Sequence, residues 1–378
     1  MTPNLLYSDV EDDLRATVRD VLADRGLPAS LVSGTDSEPT YDPALWRTLS
    51  TDLGLVGLPV PERLGGQGAS FRETALVLEE LGRAVAPVPF LGSAVLATSV
   101  LLNADVDAEP VAALLRRLAA GETTAALAVP LSTTPHAEFP TTVRADAGVL
   151  DGTVTTVADV SVADVLVVPA TGPDGPALFA VDASAAEVEI ADVVSFDLTR
   201  RVGDVRLRRA PAHLLVSGPD AAVALTRGLL TSAGLLASEQ LGVAQWCLDT
   251  TVEYVRQRHQ FGRPVGSFQA LKHRLADVWL ELVAARASAR YAADVLASSE
   301  AFDPGSDVEV AVAVAQSYCA SAAVHAAEEA IQLHGGIGMT WEHPAHVYLK
   351  RAKADELALG TPGRHRAHLA EVVDLPPA

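Results

Sequence analysis

The sequence predicts an α+β, mostly helical protein in three parts. These are an N-terminal helical domain (residues 1–121), a small middle β-barrel or sandwich domain (122–216) and a C-terminal four-helix bundle (217–378). Three observations predict it. Apolar residues recur at steps of three and four near both ends of the chain. Short Val-rich runs cut by Gly, Pro and Asp fill the stretch between. An alanine-rich segment, 310–333, then allows helices to approach closely, as in a bundle that also packs against another subunit.

In order along the chain, Ser8 with Glu11 forms a capping box, and Val10, Leu14, Val18 and Leu22 follow at helical spacing. "YDPALWRTLSTDLGLVGL" and "RETALVLEELGRAV" continue the helical pattern, with "RLGGQGAS" between them. That glycine-rich loop follows no strand and lacks a P-loop lysine, so it is expected to be a turn rather than a phosphate cradle. The run 84–102 has no charge, but Pro87, Pro89 and Gly92 break its first third and no basic flank follows it. It is expected as a loop entering a buried helix rather than a membrane span.

From about residue 122 the pattern changes. "AALAVP", "VADVLVVPA", "ALFAVDA", "AEVEIADVV" and "VGDVRLRRA" carry strand signals at roughly even spacing, which suggests an antiparallel barrel or sandwich. Helices return near 217. Leu241, Ala244, Leu248, Val252 and Val255 form one apolar stripe, and Leu271, Leu275, Val278, Leu282 and Ala285 form another.

Composition narrows the function classes. The 378 residues carry 28 Lys+Arg against 48 Asp+Glu, a net charge of −20. A surface this acidic repels phosphate backbones and anionic lipid, which argues against nucleic-acid and membrane-surface partners. A hydrophobic content of 49% argues for a packed core, and 5% aromatics means that Ala, Val and Leu build it. Cys247 and Cys319 lack metal-ligand spacing and are expected as small buried hydrophobes in a reducing compartment. With no basic, apolar leader in "MTPNLLYSDVEDDLR", a cytoplasmic location is expected.

Three stretches of the last part carry chemistry. "YVRQRHQFGRPVGSFQALKHRLADV" contains Arg258-x-x-Phe261-Gly262 and Phe268-Gln269, and "EEAIQLHGGIGMTWEHP" contains Gln332-x-x-Gly335-Gly336-x-Gly338. "YLKRAKADELALGTPGRHR" is the third. Taken with the helix–β–helix order, these stretches resemble the acyl-CoA dehydrogenase family. The resemblance extends over nearly the whole chain, including "LGLVGLPVPERLGGQG" and "EELGRAVAPVPF".

The resemblance implies FAD-dependent α,β-desaturation of an acyl-CoA thioester. The flavin takes a hydride from the β-carbon while a carboxylate removes the α-proton. It also implies FAD contacts from Arg258, Gln260, Phe261, Phe268, Gln269, Gln332, Gly335 and Gly336, reaching across a dimer interface to a cofactor seated on the neighbouring subunit. A guanidinium such as Arg258 can meet a pyrophosphate with a charge-assisted fork, and glycines let backbone approach closely. The plainer alternative makes Arg258 a helix-end cation and the glycines a helix C-cap.

Two departures from the family pattern stand out. The segments that cradle the isoalloxazine in the family read here "LAVPLSTTPHAEFP", with only Pro130 retained, and "LDGTVTTVADVSVAD", with Thr156 and Ala158 in place of Trp and Thr. The family's catalytic base precedes a Gly-Thr pair, and Leu359 precedes Gly360-Thr361 here. Ser232 occupies the alternative base position. Neither can take a proton from carbon near neutral pH.

Asp355 and Glu356, one helical turn upstream, are conceivable substitutes, but "KRAKADEL" reads as a solvated face of alternating charge. His343, His346, His365 and His368 are read as surface histidines or as orienting groups, with no metal site expected. Arg364 and Arg366 face either a CoA phosphate or solvent.

The retained and lost residues together resemble a non-catalytic subunit of a heteromeric, steroid-type acyl-CoA dehydrogenase. Such a chain shares FAD with a second family subunit that carries the catalytic Glu, in a heterotetramer of two heterodimers. Two other readings remain open: a self-sufficient homo-oligomeric enzyme with an unusual base, and a non-enzymatic acyl-CoA-binding scaffold.

Overall fold

A computed structural model describes residues 5–25, 31 and 41–375. Helix α1 (Asp9–Asp24) begins at the expected capping box, with the Glu11 carboxylate accepting from the Ser8 N–H at 2.7 Å. Val10 departs from the expected stripe and is 73% exposed. The inward face of the first turn is taken by Glu11, which pairs with Arg72 at 2.8 Å, so the apolar stripe begins at Leu14.

A short helix α2 (Pro43–Arg47) runs on through a π-helical turn, and "RLGGQGAS" is a turn with Gly65 and Gly68 in the left-handed region. Helix α3 (Phe71–Ala84) has its own Ser70–Glu73 capping box. The charge-free run becomes a π-helical segment, Phe90–Ala97, and helix α4 (Thr98–Leu102), buried as expected. Helix α5 (Glu109–Ala119) closes this part.

The middle part contains β1 (Ala125–Leu127), β2 (Val143–Asp146), β3 (Val149–Ala158) and β4 (Val165–Gly172). It continues with β5 (Gly175–Asp182), β6 (Val188–Asp192), β7 (Val202–Pro211) and β8 (His213–Ser217). They form one sheet in the order β6-β7-β3-β2-β4-β5-β8, with β1 on β4. Phe179 of β5 and Val205 of β7, far apart in that order, share one core, so the sheet curls into a barrel left open between β6 and β8.

Pairing is mostly antiparallel as expected, but β1 runs parallel to β4, and β2 meets β4 in parallel. Strand β4 also departs from alternation. Leu166, Val168 and Ala170 enter the barrel core, while Val165 and Val167 face the helical core, so both faces are covered and the run is continuously apolar.

Helix α6 (Pro219–Gln257) is the spine, about 58 Å long at the usual helical rise. Its first half packs against the N-terminal helices, and its second half joins α7 (Gln269–Leu296) and α8 (Val308–His334) in a separate alanine-rich core. Helices α9 (Ala345–Leu357) and α10 (Pro362–Val372) pack on α8. Helices α3 and α6 cross so closely that a Cβ on Gly242 would overlap the Glu79 carbonyl. Helices α6 and α8 are long and apolar enough to cross a membrane, yet 78% and 67% of their apolar windows are buried inside the molecule.

Candidate functional site

The residues singled out by sequence divide into two places. The first is an exposed end of the bundle. Helix α6 stops at Gln257, and Arg258 leaves helical geometry with its N–H donating to the Tyr254 carbonyl at 2.9 Å. A two-residue hairpin pairs Gln260 with Arg263, and Phe268 then caps α7, so Gln269 opens that helix.

Phe261 is 88% exposed, with a φ of 55°, and meets Phe268 edge-on at 6.0 Å. The Arg263 guanidinium covers the Phe268 ring at 3.9 Å. Helix α8 ends beside α6, where the His334 ring stacks on Tyr254 at 4.4 Å, and this places Gln332, Gly335 and Gly336 at the same end. Arg258, Gln260, Gln269, Gln332 and both glycines are exposed.

The two glycines differ. Gly335 is the C-cap of α8 at φ 64° and ψ −137°, a conformation close to glycine-only. Gly336 is helical, at φ −53° and ψ −40°, and a Cβ there would meet no described heavy atom within 4 Å. Among the described residues, no packing contact calls for a glycine at 336. The C-cap alternative therefore accounts for Gly335 and leaves Gly336 unexplained.

The second place lies between the barrel and the helices, and it is closed. Leu359 is fully buried at φ 54°, and its N–H donates to the Leu131 carbonyl at 2.7 Å. The Leu131 N–H in turn donates to the Thr156 carbonyl at 3.0 Å. Thr156 sits where the β3–β7 register shifts, with its own N–H on Asp204 at 2.9 Å, and Ala158 is buried behind it. The segments holding Pro130, Thr156–Ala158 and Leu359 are thus zipped to one another through backbone. Ser232 is buried too, and its hydroxyl is spent on the Gly228 carbonyl at 2.7 Å.

Beside this closed seat is an ion cluster that the sequence did not foretell. Arg351 of α9 donates to Asp197 at 2.6 Å, to Glu239 of α6 at 2.5 Å and to the Thr199 hydroxyl at 2.6 Å. Arg200 pairs with the same Glu239 and lies 3.4 Å from Asp355. Asp159 accepts from the Gly92 N–H at 3.1 Å nearby.

All six charged groups are buried, which corrects the reading of "KRAKADEL" as a solvated face, since Asp355 and Arg351 both point inward. Four acids share two guanidinium groups. Burial and then Glu239 push the Asp355 carboxyl well above the carboxylate range. Fully buried, Asp355 is out of reach of a substrate carbon. Glu356 bonds Lys353 at 3.2 Å and does not replace it. The only sequence signal for the cluster was a polar pair, Glu239-Gln240, inside the apolar run of α6.

The histidines also depart from a surface reading. His365 is buried, its Nε2 is 3.0 Å from the Leu359 carbonyl, and burial lowers its pKa to about 4. His343 meets His334 at 4.2 Å with the rings tilted, and is likewise lowered to about 4, by burial first. His346 meets the Trp341 ring edge-on at 4.7 Å, while Arg364 and Arg366 are exposed. Cys247 and Cys319 are buried and unbridged, and burial raises both thiols, Cys319 to about 12.

Comparison with known proteins adds an independent line. Residues 8–122 match the sequence family described as "Acyl-CoA dehydrogenase, N-terminal domain", and residues 221–373 match "Acyl-CoA dehydrogenase, C-terminal domain". The acyl-CoA dehydrogenase IpdE2 of Mycobacterium tuberculosis is 37% identical over 349 residues, covering 92% of each chain. IpdE2 of Mycolicibacterium smegmatis is 34% identical over 355 residues, covering 94% of this chain and 96% of its own.

Among solved structures, the ChsE4–ChsE5 complex from Mycobacterium tuberculosis superposes with a TM-score of 0.84 at 30% identity, covering 99% of this chain and 100% of that one. A variant of the Tcur3481–Tcur3483 steroid ACAD gives 0.82 at 30% identity, covering 97% and 98%.

Proposed function

Since the chain belongs to the acyl-CoA dehydrogenase family, we propose that it acts as the base-less subunit of a heteromeric, FAD-dependent acyl-CoA dehydrogenase. The observation that carries this reading is the contrast between its two places. The closed seat does not fit a flavin ring: the Leu131 backbone bonds both Leu359 and Thr156, and the Leu359 side chain is fully buried there. The exposed bundle end does fit a dinucleotide reaching over from another subunit. Arg258 offers a guanidinium to the pyrophosphate, Gln332 an amide to the adenylate, and Gly336 an unobstructed backbone.

When bound, FAD supplies the hydride acceptor for desaturating an acyl-CoA thioester, and the chemistry belongs to it. This chain's part is to hold the cofactor's nucleotide end. The α-proton then goes to a Glu of the second subunit, because Leu359 and Ser232 cannot accept it. The steroid and heteromeric names of the two superposed structures support a bulky, steroid-derived acyl group and a heterotetramer of two heterodimers. Two FAD per tetramer are expected, rather than four, in a cytoplasmic complex.

The test is flavin content. The chain expressed alone should be nearly colourless and inactive, and co-expression with a family member carrying the Glu should give a yellow complex with two flavins per tetramer. A stoichiometric flavin spectrum with turnover from the isolated chain would sink the proposal and favour a self-sufficient enzyme.

A further inference from the structure

Outside both places, three elements bring metal-binding side chains together. His136 lies on the loop after β1, Glu309 in the first turn of α8, and His368 on α10. One ligand atom from each lies within 4.8 Å of the others. The His136 and His368 rings stack at 3.5 Å with a tilt of 22°.

The Nε2 of His368 is 3.3 Å from a Glu309 oxygen but not in hydrogen-bond geometry, so this buried nitrogen has no hydrogen-bond partner among the described residues. Its other nitrogen, Nδ1, faces Glu371 at 3.9 Å. A recess of about 230 Å³ adjoins the group, lined by Thr134, Arg364 and His365 among others.

We propose that His136, Glu309 and His368 form a binding site for a zinc-like divalent cation, with Glu371 orienting His368. Two imidazoles and one carboxylate are a donor set that borderline cations such as Zn²⁺ prefer, with water completing a tetrahedron. Bonds of about 2.0–2.2 Å put ligand atoms roughly 3.4 Å apart, so the side chains must draw in by about 1 Å and the His136 ring must turn out of its stack. A carboxylate accepting from the second nitrogen of a ligating histidine is the usual way such a ring is aimed.

Arg364 is the cation facing the recess, and its exposure leaves its charge to solvent. The consequence for the fold is a clip: the ion ties the middle-domain loop to α8 and α10, just beside the zipped Leu359 turn. The site stands or falls separately from the partner-subunit reading, because neither the flavin count nor Arg258 enters it.

The test uses the full, tag-free chain, stripped with chelator and titrated near neutral pH with Co²⁺ and Zn²⁺. One equivalent per chain should bind, Co²⁺ should develop the absorption of a tetrahedral site, and Zn²⁺ should raise the Tm. His136→Gln, Glu309→Gln and His368→Gln should each weaken binding by about tenfold or more. His136→Gln is on an exposed loop and keeps the test open if a helix variant misfolds. Hydrogen exchange over residues 130–140 should slow when Zn²⁺ is added. Uptake below one equivalent, or uptake that all three variants leave unchanged, would overturn the site, and unchanged exchange would overturn the clip.

Discussion

Leu359 holds a backbone conformation that costs a branched residue roughly 1–3 kcal/mol, and it does so because its side chain is fully buried and its N–H is bonded. Restoring a carboxylate there, as Leu359→Glu, should not create activity. It should instead place an unpaired charge in the core, at a cost of about 3–5 kcal/mol, read as a lowered denaturation midpoint. Turnover from that variant in the isolated chain would mean that the seat can open.

Arg258 presents the opposite case, an exposed residue whose guanidinium has no partner among the described residues. In the assembled complex, Arg258→Ala should lower FAD affinity by one to two decades, about 1.5–3 kcal/mol, and leave assembly intact. Equilibrium dialysis of the flavin decides it. Both residues were legible in the sequence because they sit at fixed offsets from Gly-Thr and Phe-Gly pairs. The partners of Leu359 were not legible, since a backbone bond to Leu131 across more than 200 positions leaves no local pattern.

At the scale of elements, α6 sets the spacing of everything it touches. Gly242→Ala would drive a methyl into the Glu79 carbonyl of α3, and overpacking of this kind costs about 1–3 kcal/mol. Urea unfolding of the variant should show a lower midpoint with an unchanged slope, and a wild-type midpoint would show that the helices can part. The second half of α6 and the start of α7 were readable from apolar stripes, and α8 from its alanine content. Strands β2, β3 and β8 were missed: β3 is split by a bulge and polar on its outer face, and β2 and β8 are only four and five residues long. Parallel pairing of β1 with β4 could not be read either, because register between distant strands is fixed by burial on both faces rather than by either strand's own pattern.

For the molecule as a whole, the buried ion cluster joins barrel, spine and C-terminal helices, so acidity is coupled to folding. Asp159 is pushed up to about 6 by burial, above its unfolded value of 3.8. Between those values the folded state holds a proton that the unfolded chain releases, so its contribution to stability is present below about pH 4 and lost as pH rises through 6. Asp159→Asn keeps an acceptor for the Gly92 N–H and removes the charge. It should therefore be more stable than wild type by up to about 3 kcal/mol at neutral pH, with the gain vanishing near pH 4. A pH series of unfolding midpoints reads this directly, and parallel curves for the two proteins would refute it.

The zipped seat also changes what heredity can tolerate. A pocket that performs chemistry forbids almost every substitution in its wall, whereas a filled one asks only that the filling fit. In a saturation library, then, position 359 should accept Met and position 156 most polar residues. Gly336, where an added Cβ would meet no described atom, should accept almost no replacement once the partner is present. A buried position would then be permissive and an exposed glycine strict, an inversion of the usual map that places this chain's selective constraint on another polypeptide.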